Sequence, residues 1–202
     1  MIAGTKKIPK DRIAAVIGRN GVTRREIEEK GHVILQIDSA EGEVSIIQKD
    51  DALKATLTSS VIQAIGRGFS PEKAFLLFEE DYTLYIISLR EFAKPGSHRI
   101  GEIKGRLIGR NGRTRQIVEE MTLTHISIYG DTVSIIGDYI SIEYGKEAIM
   151  RLISGSKQRT VYQYLEKQVK NIKLKKLEES FRYFLAIHLF PGIREVEMTE
   201  SL

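Results

Sequence analysis

The residues whose spacing could do chemistry are two copies of one tetrapeptide, Gly18-Arg19-Asn20-Gly21 and Gly109-Arg110-Asn111-Gly112. Glycines at both ends permit positive φ and, lacking Cβ, let a ligand come close to the backbone. Apolar residues precede each copy and a helix-compatible run follows. Each tetrapeptide is therefore predicted to join two short helices, the second aiming its free N–H groups and positive dipole end at the loop. Arg19, Arg110, Arg113 and Arg115 add charge beside it. That combination suits an anion. A nucleotide-binding P-loop fits poorly, because no strand precedes and no Gly-Lys-Ser/Thr follows. For a single copy, a helix-turn-helix corner in which glycine only permits the bend stays an even alternative. Two copies that share arginines favour the anion site.

The elements that must position these loops are duplicated with them. Val16-Ile17 before the first copy answers Leu107-Ile108, and Glu28-Glu29 after it answers Glu119-Glu120. Val44-Ser45-Ile46-Ile47 returns as Val133-Ser134-Ile135-Ile136, with two fewer residues between loop and strand in the second copy. A repeat spanning loop, helix and strand is a duplicated unit. With 202 residues, each half can bury a core of its own. The net charge is +4 and the pI about 9.2, compatible with nucleic acid without requiring it. The absence of cysteine excludes disulfides, cysteine zinc sites and thiol catalysis. No signal-peptide pattern or membrane-length apolar run is present, so a soluble cytoplasmic protein with no membrane partner is expected. Abundant Ile, Lys, Glu and Arg hint at a thermophilic source.

Along the chain, residues 5–8 read as a strand stopped by Pro9. Asp11 is the predicted cap of a helix with Ile13, Val16 and Ile17 on its apolar face. After the loop a second helix ends at Gly31 as a C′ glycine. Val33 to Ile37 and Val44 to Ile47 form a hairpin. Asp50 or Asp51 opens a long helix closed by Gly66. In the second half, Thr83 to Leu89, Ile103 to Ile108, the helix with Ile117, Val118 and Met121, the strands with Ile126, Ile128 and Val133 to Ile136, and a helix from Asp138 to Gly155 repeat the order β-α-α-β-β-α. Ser70-Pro71-Glu72 starts a short apolar helix, which is predicted to be buried between the units and to fix both loops on one body. A tail helix follows Ser156, carrying Val161, Leu165, Val169, Ile172, Leu177, Phe181 and Phe184 on a docked face with lysines outward. From Pro191 onward the chain reads as a fraying acidic end. The fold class is α+β, with boundaries at 1–80, 81–155 and 156–202.

A β-α-α-β-β-α unit with an Ile-Gly-x-x-Gly loop resembles the type I KH domain, so two tandem copies with a helical C-terminal extension are implied. In that family the loop clamps about four nucleotides of single-stranded RNA. More specifically, Ala64-Ile65-Gly66-Arg67-Gly68-Phe69-Ser70-Pro71-Glu72, Gly105 to Thr114, and Gly155-Ser156-Lys157 leading to Val161-Tyr162 resemble the archaeal and eukaryotic two-KH small-subunit ribosome-assembly factors. The resemblance implies RNA contacts at Gly18, Arg19, Asn20, Gly21, Arg24, Ile108, Gly109, Arg110, Asn111, Gly112, Arg113, Arg115 and Ile126. It places a groove floor on Ile17, Ile27 and Ile34 or Leu35, and on Ile108, Val118, Ile126 and Ile128. Its implied partners are the 3′ end of small-subunit rRNA, the endonuclease that trims that end, and the alpha subunit of translation initiation factor two. No cofactor is implied.

Two departures from the family matter. Arg24 and Arg115 stand where KH domains commonly carry an apolar residue, and a guanidinium there can stack on a base or hold a phosphate. Eukaryotic relatives tend to lose the first GxxG, which this chain keeps. No catalytic constellation assembles: His32, His98, His125 and His188 lack metal-ligand spacing, and Glu28-Glu29 and Glu119-Glu120 read as charge-balancing pairs. A binder rather than an enzyme is expected, with a helix-turn-helix DNA regulator or an RNA-inert scaffold as the alternatives. The crowd of Lys104, Arg106, Arg110, Arg113 and Arg115 predicts the second loop to be the stronger site.

Overall fold

The computed structural model describes residues 2–189, with side chains from residue 4 to residue 182. The first unit runs β1 (Ile2–Lys7), α1 (Lys10–Ile17), α2 (Val22–Lys30), β2 (Val33–Asp38), β3 (Glu43–Gln48) and α3 (Ala52–Gly66). A linker of α4 (Pro71–Ala74) and a 3-10 turn (Phe75–Phe78) follows. The second unit runs β4 (Tyr82–Ser88), α5 (His98–Ile108), α6 (Arg113–Thr122), β5 (His125–Tyr129), β6 (Thr132–Asp138) and α7 (Tyr139–Ile153), before α8 (Gln158–Leu189).

Each unit holds one antiparallel three-stranded sheet, ordered β1-β3-β2 and β4-β6-β5, so β2 and β5 are outer strands. In β2, Val33 and Leu35 point into the core while Ile34 and Gln36 face out, the period of two that a half-covered sheet demands. The helices cover the inner face through Ile13, Val16, Ile27, Val61, Ile62 and Ile65 in the first unit. Ile103, Leu107, Val118, Ile149 and Leu152 do so in the second.

The long helices start on carboxylate caps: Asp51 accepts from Lys54 N–H at 3.0 Å and Asp138 from Ser141 N–H at 2.9 Å. Each cap contributes about 1 kcal/mol. Asp11 is not a cap. Pro9 precedes α1, and the Asp11 carboxylate receives the Tyr129 hydroxyl from the other unit. Gly31 and Gly66 differ from expectation in their physical reason. Neither is left-handed; a Cβ at Gly31 would lie 2.0 Å from Thr58 Oγ1, and at Gly66 2.5 Å from an Ile8 methyl. Both let elements cross closely.

The linker lies between the units. Ala74 and Leu77 are buried in the first core, which reaches across to Ile136 of β6, and the 3-10 turn packs on α3, β4 and β6. β6 is therefore buried on both faces, whereas β3 with the same Val-Ser-Ile-Ile is buried on one. Polar contacts add to the Asp11–Tyr129 bond in locking the arrangement. Arg12 donates to the carbonyls of Ile65 (2.8 Å) and Phe69 (2.7 Å) and lies 5.8 Å over the Tyr129 ring. Ser127 Oγ donates to Arg67 O at 2.8 Å. Lys73 sits 3.9 Å from Glu119.

α8 packs on α6 and α7 through Val161, Leu165 and Ile172, and Lys176 reaches Asp138 at 2.6 Å. Its docked stripe stops there: Leu177 and Phe181 are 67% and 59% exposed, contrary to the continuous apolar face expected from spacing. The residues from Pro191 onward and the Phe184 side chain lie outside the described residues. No helix among the described residues is long and apolar enough to cross a membrane.

Candidate nucleic-acid interface

The two tetrapeptides fold alike. Gly18 and Gly109 both have φ 72°, Asn20 and Asn111 sit at φ 53° and 52°, and Gly21 and Gly112 at φ 73° and 76°. All three conformations are left-handed or beyond L-residue comfort, which is why glycine and asparagine occupy them. At Gly18 and Gly109 a Cβ would also fall 2.2 Å and 2.1 Å from the hydroxyls of Thr23 and Thr114. The hydroxyl-bearing first turn is thus packed directly under the loop. No side chain caps α2 or α6; the first N–H of each helix, at Val22 and Arg113, turns back onto the loop carbonyls of Arg19 and Arg110. An anion laid there meets the positive end of the helix dipole.

The structure sorts the cations. Arg19, Arg25, Arg110 and Arg113 are exposed and carry no hydrogen bond or ion pair among the described residues. Lys104 is instead paired with Asp131 at 3.4 Å, and Arg106 donates to Ile153 O at 3.4 Å. The count of free arginines is two per loop. Charge crowding in the sequence therefore gives no ground for ranking the second site higher. Asp131, bound by Arg90 and Lys104, keeps its carboxyl below the ordinary range despite the opposing effect of desolvation.

A structural asymmetry does separate the loops. α8 buttresses the second: Tyr162 OH donates to Thr114 Oγ1 at 3.1 Å, and Gln158 Nε2 donates to Arg106 O at 3.1 Å. A cleft lined by Glu102, Gly105, Arg106, Gly109, Arg110 and Gln158 opens at that junction. Among the described residues, the first loop has no such helix behind it. Sequence reasoning missed Tyr162 and Gln158 as supports, because nothing in their spacing says which loop α8 will meet.

Beside each loop an outer strand lines the groove. Ile108 is 40% exposed, and Ile17, Ile37 and Ile128 are half-buried, giving an apolar surface of modest width. Ile27, Leu35 and Val118 are fully buried core residues, and Ile126 is 3% exposed, so their side chains do not floor a groove. Ile34 lies on the opposite sheet face. The outer backbone edge at Leu35 and Ile126 is what faces the groove. Leu35 N–H donates to Glu28 Oε1 at 2.8 Å and Ile126 N–H to Glu119 Oε1 at 2.6 Å. Glu28 and Glu119 are strand anchors, not merely charge-balancing residues. The signal for them was an Arg-x-x-x-Glu spacing at the same place in both copies. Arg24 donates to both Glu28 (3.1 Å) and Leu35 O (2.8 Å); Arg115 lies 3.6 Å from Glu119. Neither guanidinium points freely at the groove.

His125 sits at the junction with the linker. Burial, and then the Lys73 ammonium, hold its imidazole below the usual range against the pull of Glu119. Among the described residues, no cluster of three or more His, Asp or Glu is placed to hold a metal ion.

The eukaryotic-type KH-domain family (KH-domain type I) matches residues 83–170, and the KH-domain family matches residues 5–57. A KH domain-containing protein of Methanocaldococcus jannaschii is 37% identical over 175 residues, covering 85% of this chain and 76% of the relative. A crystal structure of an a/eIF2alpha–aDim2p–rRNA complex from Pyrococcus horikoshii aligns with a TM-score of 0.78 at 46% identity, over 83% of this chain and 94% of that one. The chain belongs to the Dim2/Pno1 family of two-KH-domain proteins. The pre-rRNA-processing protein pno1 of Emericella nidulans is 32% identical over 115 residues, 55% of this chain. This Dim2/Pno1-family chain spans only 44% of that fungal protein's length. The family assignment sets the helix–loop–helix inside a βααββα unit, where the duplex-reading helix-turn-helix has no place. It also agrees with the doubled elements seen in both sheets.

Proposed function

We propose that this chain binds single-stranded RNA near the 3′ end of small-subunit rRNA and serves as an adaptor in small-subunit biogenesis. The observation that carries this is the pair of Gly-Arg-Asn-Gly loops with one backbone geometry, each opening onto an uncapped helix N-terminus flanked by two free arginines. Phosphates would sit at the N-terminal ends of α2 and α6, with Arg19 and Arg25, or Arg110 and Arg113, neutralising their charge. Bases would then lie along the apolar strip of Ile17 and Ile37, or of Ile108 and Ile128. The linker fixes the two grooves relative to each other, so the protein reads the shape of an RNA end as well as its strand.

The chain is a binder, not an enzyme, and acts in the cytoplasm. Its protein partners are the endonuclease that trims the rRNA 3′ end and the alpha subunit of translation initiation factor two. The Pyrococcus relative, crystallised with a/eIF2alpha and rRNA, supports the second partner. Domains at 1–80, 81–155 and 156–202 divide the work into two grooves and one buttress.

Crosslinking of the full chain to RNA in cells, with crosslinked positions read out on rRNA, tests this. Crosslinks are expected at the small-subunit 3′ end and at residues of both loops. RNA crosslinks confined to other transcripts would refute the rRNA assignment, and none at all would leave the RNA-inert scaffold as the better reading.

A further inference from the structure

The two grooves differ at one peptide group. In an antiparallel pair, the N–H and C=O of one residue point the same way. Leu35 lies opposite Ile46 and Ile126 opposite Ile135, and both send their N–H outward to a glutamate. Each therefore offers a donor and an acceptor side by side on the groove edge of an outer strand. A nucleobase edge is the same pattern inverted.

In the first unit both positions are taken. Glu28 accepts from Leu35 N–H at 2.8 Å, Arg24 donates to Leu35 O at 2.8 Å, and the two side chains bond each other at 3.1 Å. One acceptor and one donor, held in a plane by the guanidinium, occupy the place a base edge would take. In the second unit Glu119 takes the Ile126 N–H, but among the described residues no side chain donates to Ile126 O. The linker accounts for the difference. Lys73 approaches Glu119 to 3.9 Å, and Arg115, the counterpart of Arg24, stands off at 3.6 Å.

We propose that Arg24 and Glu28 form an internal cap on the Leu35 edge, so that the first groove holds RNA by its backbone without discriminating bases, leaving discrimination to the second. This rests on the RNA-binding reading above. The cap is charge-assisted and ties one helix turn to a strand, so a neutral base edge exchanging for it gains nothing. Arg24 is a specificity-determining residue in the negative sense: it keeps the first site indifferent.

The test uses the full chain with the second loop silenced by Arg110→Glu and Gly112→Asp. The second change is chosen because Asp tolerates a left-handed backbone and a Cβ at Gly112 meets nothing within 4 Å. Fluorescein-labelled oligo(rA), oligo(rC) and oligo(rU) are titrated by anisotropy. The capped groove should bind all three within about twofold. Adding Arg24→Ala should open the spread to about fivefold or more, the scale of one neutral hydrogen bond. Arg25→Ala, which removes the same charge without freeing the edge, should weaken all three alike. An unchanged spread in folded Arg24→Ala protein would overturn the proposal, as would a fivefold spread with the cap intact. Amide NMR separates the two readings. Saturating oligo(rA) should shift Gly21 and Val22 and leave Leu35 in place. A Leu35 shift alongside Gly21 means the cap opens and the proposal is wrong. No shift at Gly21 in any variant means that the RNA reading itself fails.

Discussion

Arg12 ties the end of α3 to the linker that lies between the two units. It is half-buried, and its guanidinium spans two carbonyls four residues apart, at the end of α3 and in the linker. Ile65 O also receives Gly68 N–H at 3.0 Å, so Arg12→Ala leaves it one partner. Phe69 O loses its only side-chain donor among the described residues. Hydrogen bonds to a charged group contribute about 1.5–3 kcal/mol each. With one carbonyl half-compensated and the site partly open to water, the loss should total about 2–4 kcal/mol. The stacking over Tyr129 at 5.8 Å adds less than about 1 kcal/mol. For a chain of this size, each kcal/mol lowers Tm by roughly 2–4 °C, so a fall of about 5–15 °C is expected. Thermal and urea unfolding followed by circular dichroism measure it directly. Arg12→Lys should recover less than half, because an ammonium is a point donor that cannot bridge both carbonyls. Arg12→Ala protein within 0.5 kcal/mol of the parent would show that these two charged hydrogen bonds contribute nothing net to stability.

Three further outcomes follow from the site. Tyr162→Phe removes the hydroxyl that supports Thr114 under the second loop and should weaken single-stranded RNA binding about twofold to fivefold, with the melting temperature nearly unchanged. RNA affinity should fall with salt, and each loss of Arg19, Arg25, Arg110 or Arg113 should flatten the log–log slope by about 0.7, read from titrations at several ionic strengths. His125 is held below its ordinary range in the fold, whereas the unfolded imidazole titrates near 6.5. The unfolded chain then binds the extra proton, so stability is full above about pH 6.5 and declines as pH falls through it. Denaturation midpoints across pH 5–8 should show that slope, and His125→Gln should flatten it.

Much of this was legible in the residues. The tetrapeptide repeat located both loops, and its glycines announced a left-handed backbone that the structure shows at matching angles. Period-two alternation located the strands, and acidic residues the long-helix caps: Asp138, and one of Asp50 and Asp51, of which the fold uses Asp51. What local pattern cannot carry is which surface a segment meets. Val44-Ser45-Ile46-Ile47 and Val133-Ser134-Ile135-Ile136 are the same word, yet Ile47 is half-buried and Ile136 fully buried, because only the second sheet is roofed by the linker. Counting cations failed for the same reason. Lys104, Arg106 and Arg115 look available in sequence and are engaged by Asp131, Ile153 and Glu119 in space. Leu177 and Phe181 keep helical spacing with Val161 and Leu165, but α8 outruns the body it packs on.

The position of the linker also sets a schedule for synthesis. Phe75 to Phe78 find part of their cover on β4 and β6, and β6 ends roughly 60 residues later in the chain. At about 5–20 residues per second the ribosome needs roughly 3–12 s to deliver that cover. Throughout that interval the first unit stands folded with a phenylalanine-rich flap facing solvent, and a neighbouring nascent chain offers the same flap. The growing polypeptide is therefore most exposed to aggregation and chaperone capture between completion of α3 and emergence of β6. Once β6 arrives, the flap closes and the second sheet acquires its roof in the same step.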